Sequence, residues 1–193
     1  MKKEEIIFDI LRPETELEKR ILVDNEYKEG LFWGTPRYGH PEGKVIFHIR
    51  EVLDNVDKMS DITEKQRASL RLITLIHDTF KYKENESRKI FGRQPNNHHA
   101  VFAANFAEQY IKDEAILQVL LLHDEAYYAW RLKAFKREQE HQKKLKNLLN
   151  ELGDNLQLFY LFFKCDTCTG DKDPRPLEWF ETEIKGIQIT EIA

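Results

Sequence analysis

The chain has 193 residues, with Lys+Arg 30 against Asp+Glu 34 and a net charge of −4. That length is enough for one domain with a real core, and the mixed charge leaves no basic footprint for an extended nucleic-acid surface. Two cysteines, Cys165 and Cys168, exclude a disulfide framework. No stretch has the apolar length of a membrane span, and MKKEEIIFDILRPE at the start lacks the core of a signal peptide; a soluble, cytoplasmic protein is expected.

Residues 1–29 are polar, with weak helical periodicity around Thr15–Asn25, and Pro13 fits near a helix start. Residues 31–43, LFWGTPRYGHPEG, are too rich in Gly and Pro for a helix and read as an ordered loop. A packed connection is the plain explanation. A substrate wall, with Arg37 and His40 as polar contacts, is the functional one. Lys44 to Val56 is an amphipathic helix, and His48 lies inside its stripe of Val45, Ile49, Val52, Leu53 and Val56. Ser60 or Asp61 is placed to cap the next helix, with Glu64 set for a capping box. That helix runs from about Ile62 to Phe80. Its segment LRLITLIHDTFK, Leu70 to Lys81, is apolar on nearly every side, as a core helix is. Yet it ends in His77 and Asp78, with Lys81 one turn on.

Residues 82–97, YKENESRKIFGRQPNN, predict a polar loop. Arg88, Lys89 and Arg93 make it basic, through solvation or as a phosphate-contacting lid. His98 to Ile111 is helical, and its alanines leave room for a close neighbour. Asp113 caps a helix from Glu114 to about Trp130, with Ile116, Val119, Leu120 and His123 on one face. Residues 131–147 are charged throughout and predict a solvated helix or loop, in which His141 carries no role. Leu145, Leu148, Leu149 and Leu152 resume the periodicity, and Gly153 is a natural C-cap. Asp154 then caps NLQLFYLFFKCD, where Phe159, Phe162, Phe163 and Asp166 share a face. A last helix spans about Leu177 to Ile187. There is no internal repeat and no linker long enough to separate two domains.

His48, His77–Asp78, His123 and Asp166 thus sit on, or at the end of, the apolar faces of four different helices. One such histidine is more often a hydrogen-bonded core residue than a ligand. Four cases each need a buried partner, because an unpaired buried polar group costs several kcal/mol, roughly. A divalent metal satisfies them together, since imidazole and carboxylate are its ordinary ligands. A histidine of the His98–His99 pair extends the set. Cys165 and Cys168 form a single CxxC, which supplies only two ligands; Cys165 reads as core.

The ordered pattern of a His, an adjacent His-Asp and a later Asp, at His48, His77, Asp78 and Asp166, resembles the HD-domain superfamily of helical metal-dependent phosphohydrolases. Two further histidines between the pair and the last Asp resemble its binuclear branch. His123 fills the second of these positions. For the first, His98 and His99 compete; the resembling families carry small residues at +4 and +5, which matches His99, followed by Ala103 and Ala104, over His98, followed by Phe102 and Ala103. HDTFK resembles the HDxxK form, which implies that Lys81 contacts phosphate. Helical spacing in every long apolar segment, with no sustained alternation, predicts an all-α, single-domain helical bundle over residues 1–193; the resemblance adds an HD core about 45–167, leaving an N-terminal extension 1–43 and a C-terminal helix about 177–187. It implies two divalent ions, of Mn, Fe, Mg, Co or Zn, on His48, His77, Asp78, His99, His123 and Asp166, with Asp78 between them. Asp78 and Lys81 would be catalytic, and Lys81, Arg93, Arg37 and His40 would bind a small phosphorylated substrate such as a nucleotide. The acidic Asp124 and Glu125 after His123, and TCTGDKDPRP after Asp166, depart from the commoner binuclear forms. Two alternatives accompany the phosphohydrolase: a di-iron HD-type oxygenase with the same ligands, and a non-catalytic nucleotide-binding module.

Overall fold

The computed structural model describes residues 3–92 and 94–193. Three short helices open it, α1 (Lys3–Leu11), α2 (Glu16–Leu22) and α3 (Asn25–Leu31). The sequence predicted only a weak helical stretch near Thr15–Asn25. The chain is broken there by caps: the Thr15 side chain accepts from Glu18 N–H, and the Asp24 side chain from Glu26 and Tyr27 N–H. Helix α4 (Val45–Lys58) buries the expected stripe, His48 included. Helix α5 (Glu64–Ile76) starts on Thr63 rather than on Ser60 or Asp61. Thr63 Oγ1 accepts from Gln66 N–H at 3.1 Å, and Gln66 Oε1 accepts from Thr63 N–H at 2.9 Å, a capping box shifted by two residues from the expected one.

Residues 81–91 form a helix, α6 (Lys81–Phe91), where a loop was expected. None of its residues is buried, so no apolar stripe marks it in the sequence. Gly92, at φ +70, ends it. A 3₁₀ turn, Pro95–Asn97, leads into α7 (His99–Ala107). The expected helix from Glu114 to Trp130 is two: α8 (Glu114–Leu122) and α9 (Glu125–Ala134), broken at His123–Asp124. The charged segment after it carries α10 (Glu138–Leu152), followed by α11 (Leu156–Thr167) and α12 (Arg175–Glu183). Helix α12 starts and stops earlier than expected, and Ile184 beyond it is extended. His141, expected in solvent, is buried, with Nδ1 donating to Ala129 O at 2.9 Å and its ring against Trp179. The described residues hold no strand, only isolated bridges between Arg37 and His40 and between Met59 and Ile192. The fold is all-α, as expected.

Helix α5 is central. It packs on α4, α8 and α11, and Leu70, Ile73, Leu75 and Ile76 are wholly buried. Its buried Arg71 donates from Nε to Glu18 Oε1 at 2.9 Å and from Nη2 to Arg12 O at 3.2 Å, tying the first helices to the core. The same extension braces the turn that follows α5. Tyr27 Oη donates to Leu75 O at 2.7 Å. Gly30 lies so close to Thr79 that a Cβ there would stand 1.7 Å from the Thr79 carbonyl oxygen. No helix of the described residues is long and apolar enough to cross a membrane.

Candidate metal centre

Helix α5 ends at Ile76, and the chain turns through His77, Asp78, Thr79 and Phe80 before α6. The turn fixes His77. Its Nδ1 donates to Thr74 O at 2.8 Å, three residues back. A carbonyl only accepts, so the proton is on Nδ1 and Nε2 presents a lone pair. At the end of α8, His123 repeats this arrangement, with Nδ1 donating to Leu120 O at 2.7 Å. His99, at the start of α7, donates from Nδ1 to Glu84 Oε2 of α6 at 2.6 Å. His48 of α4 turns Nε2 to Asp166 Oδ1 of α11 at 2.9 Å, and its Nδ1 stands 3.5 Å from Glu42 Oε1. Each of these imidazoles is at most 5 % exposed.

The donors fall into two groups. In the first, His77 Nε2 is 3.4 Å from His48 Nε2 and 3.6 Å from Asp166 Oδ1. Asp78 Oδ2 lies 3.6 Å from His48 Nε2 and 3.5 Å from His77 Nε2. In the second, His99 Nε2 and His123 Nε2 are 3.1 Å apart. The other oxygen of Asp78, Oδ1, lies 3.5 Å from His99 Nε2 and 3.8 Å from His123 Nε2. One carboxylate therefore faces both groups, one oxygen to each.

These residues fit metal ions. His99 Nε2 and His123 Nε2 face one another across 3.1 Å, a gap that one shared proton fills in the chain alone and that suits one ion in its place. Two nitrogens each about 2.1 Å from one ion at tetrahedral or octahedral angles stand roughly 3.0–3.4 Å apart, which is the spacing of both histidine pairs. His48 Nδ1 and Glu42 Oε2 are buried without a hydrogen-bond partner, so the outer side of the first group is held by proximity alone.

The electrostatics leave His48, Asp78 and Asp166 in the charge states that bind a cation, and His99 protonated. Burial and the nearby Lys172 push His48 down to about 4, so it is a neutral imidazole. Burial opposes ionisation of Asp78, but Lys81 and His77 hold its carboxyl well below the usual carboxylate range. Burial likewise opposes ionisation of Asp166, and Lys172 with the hydrogen bond of His48 outweighs it. Burial lowers His99, yet its bonds to Asp78 and Glu84 carry it up to about 9. Protonated in the chain alone, it exchanges that proton for a cation on binding one.

All six residues expected as ligands converge. Lys81, expected on the substrate phosphate, has its Nζ paired with Asp78 Oδ2. Arg37, His40 and Lys81 all line a cavity of about 520 Å³ above the two groups. His40 Nδ1 is also bonded to Glu42 at 2.9 Å. Arg93 lies outside the described residues. His98 stands at the rim rather than in the second group: its Nδ1 accepts from Ala100 N–H at 3.3 Å, and its Nε2 lies 3.2 Å from Tyr128 Oη.

Three residues were missed. Glu84 was hidden by the loop expected over residues 82–97. Lys172 donates to Asp166 Oδ1 and to Asp166 O, each at 2.9 Å; it comes from the segment after Asp166 that departs from the commoner forms. Asp124 lines the cavity, and its Oδ2 is 3.3 Å from His99 Nε2. The signal for it was in the sequence, because His123–Asp124 is a second His-Asp dipeptide.

No curated protein and no solved structure matches this chain. A family model described as HD domain matches residues 45–157. That span holds His48, His77, Asp78, His99 and His123 and stops short of Asp166, whose place beside His48 comes from the fold. The match covers more than half of the sequence, and the chain belongs to the HD domain family.

Proposed function

We propose that this chain is a cytoplasmic phosphohydrolase that uses two divalent ions to cleave a small phosphorylated substrate, a nucleotide. The HD-domain superfamily is mostly metal-dependent hydrolases, in line with this. The observation that carries the reading is Asp78, whose two oxygens face two separate histidine pairs. His48, His77 and Asp166 would hold one ion, His99 and His123 the other, and Asp78 both. Such a pair of ions acidifies a water towards neutral pH and offsets charge on a transferring phosphoryl group.

The chain's own residues supply the rest. The cavity suits a ligand of nucleotide size. Arg37, Arg88 and Lys172 bring cationic groups to it, and Trp33, Tyr127 and Tyr128 bring aromatic surface. Cations bind phosphate and aromatic faces stack on bases. Lys81 Nζ is paired with Asp78 Oδ2, and an ion held by Asp78 would compete with it there. A Lys81 displaced from that oxygen keeps its charge at the cavity floor, where it contacts the substrate phosphate. Glu84 orients His99 from outside through its bond to Nδ1.

The test is metal analysis of the purified protein, then a screen of nucleotides and phosphoesters with Mn²⁺, Mg²⁺, Fe²⁺ and Co²⁺. Phosphate or nucleoside product released only with metal supports the reading. Bound metal without turnover across the panel overturns it; oxygen uptake by an iron-loaded form would assign the chain to oxygenase chemistry instead.

A further inference from the structure

The chain carries two His-Asp dipeptides, His77–Asp78 and His123–Asp124, and the fold builds them alike. Each follows an apolar helix that stops one residue before the histidine. Each histidine donates its Nδ1 proton to the carbonyl three residues back, Thr74 O or Leu120 O. Each aspartate follows its histidine in the turn after that helix. Asp78 reaches both histidine pairs. Asp124 Oδ2 lies 3.3 Å from His99 Nε2 and 3.9 Å from His123 Nε2, close to the spacing of the donors already described.

A second feature points the same way. Asp124 occupies the N-cap of α9 but makes no capping hydrogen bond with its side chain. Its backbone is helical there, at φ −86 and ψ −11, not the extended form from which an N-cap side chain reaches N2 or N3. Here the carboxylate is turned instead into the cavity, towards the imidazole pair, with His98 Nε2 at 3.6 Å from the same oxygen.

We infer that Asp124 is a ligand of the second ion, so that the two ions have matching donor sets of two imidazoles, one terminal carboxylate and one oxygen of Asp78. The first set is His48, His77, Asp166 and Asp78; the second is His99, His123, Asp124 and Asp78. This rests on the two-ion reading above. It adds a hard oxygen donor to a site that otherwise has two nitrogens and half a carboxylate, and so raises its preference for Mn²⁺ or Mg²⁺, ions that carboxylate oxygens suit.

The experiment is equilibrium dialysis of apo protein against Mn²⁺, counting bound ions per chain for wild type, Asp124→Asn, Asp124→Ser and His123→Ala. Asn and Ser both keep an N-cap side chain while removing the charge, and melting in chelator confirms that each variant is folded. Wild type is expected to bind two ions. Both Asp124 variants should bind the first normally and the second at least about 100-fold more weakly, since even an outer partner of a ligand is worth 10–100-fold. Either folded Asp124 variant binding the second Mn²⁺ with wild-type affinity overturns the assignment. If His123→Ala loses that ion while the Asp124 variants keep it, only the role of Asp124 falls. Fewer than two ions on wild type means that the two-ion reading itself is wrong.

Discussion

Glu84 Oε2 accepts two hydrogen bonds from His99, one from the ring Nδ1 at 2.6 Å and one from the backbone N–H at 3.1 Å. The backbone bond satisfies a free N–H at the start of α7. The ring bond fixes the tautomer and aims Nε2 at His123. Glu84→Gln should keep the backbone bond while weakening the ring bond, and should lower affinity for one ion about 10–100-fold with the other unchanged. Titration calorimetry with Mn²⁺ reads both sites. Equal weakening of both ions, or none, would remove Glu84 from this role.

His98 and His99 are adjacent, and the fold separates their tasks. His99 is buried at 3.1 Å from His123; His98 caps α7 and faces Tyr128. His99→Ala should lower the bound metal from about two ions to about one. His98→Ala should keep both and cost roughly 0.5–2 kcal/mol of stability as a lost cap. Metal analysis beside thermal melting decides this; a His98→Ala protein that loses an ion would reverse the assignment.

The sequence marks the centre better than it marks the helices around it. His48, His77, Asp78, His123 and Asp166 were legible because each interrupts an apolar helical face, and burial makes such an interruption costly. His99 needed the small residues after it, since α7 is apolar all round and offers no stripe to read. Helix α6 was illegible because all its side chains are partly or wholly exposed, and with it went Glu84. The break between α8 and α9 was hidden because both sides of His123–Asp124 are apolar enough to continue one helix. What ends α8 is the local bond from His123 to Leu120 O, and no pattern of hydrophobicity encodes it.

Gly30 gives a stability prediction of unusual sign. In a helix such as α3, Gly→Ala ordinarily stabilises by about 0.5–1 kcal/mol. Here the new Cβ would meet Thr79 O at 1.7 Å, and that oxygen belongs to the turn holding His77 and Asp78. Either α3 or the turn must move, and overpacking of this kind costs about 1–3 kcal/mol or more. Gly30→Ala should therefore lower the Tm and also weaken metal binding, although Gly30 touches no ligand. Denaturation and metal titration of the variant test both halves. A stabilised variant with normal metal content would show that the extension does not brace this turn.

Asp78 and Lys81 share one contact but should fail differently. Asp78 faces both histidine pairs, so Asp78→Ala removes an oxygen from each group and leaves His48, His77, His99 and His123 around an uncompensated gap. It should abolish binding of both ions and all activity. It should also abolish the rise in Tm that Mn²⁺ gives wild type, about 2.7 kcal/mol of stabilisation at 100 times the Kd. Lys81 Nζ is paired with Asp78 Oδ2 and lines the cavity. Lys81→Ala removes a competitor of the ion at that oxygen, so it should keep both ions and the Mn²⁺-dependent rise in Tm. If its ammonium contacts the substrate phosphate, kcat/KM should fall by roughly 2–4 kcal/mol of transition-state stabilisation, as for other charged clamps. Parallel metal analysis, melting and kinetics on the two variants separate metal loss from phosphate loss. A Lys81→Ala enzyme that turns over phosphoester at the wild-type rate would leave Lys81 only the balancing of Asp78, and would shift weight to a substrate without phosphate.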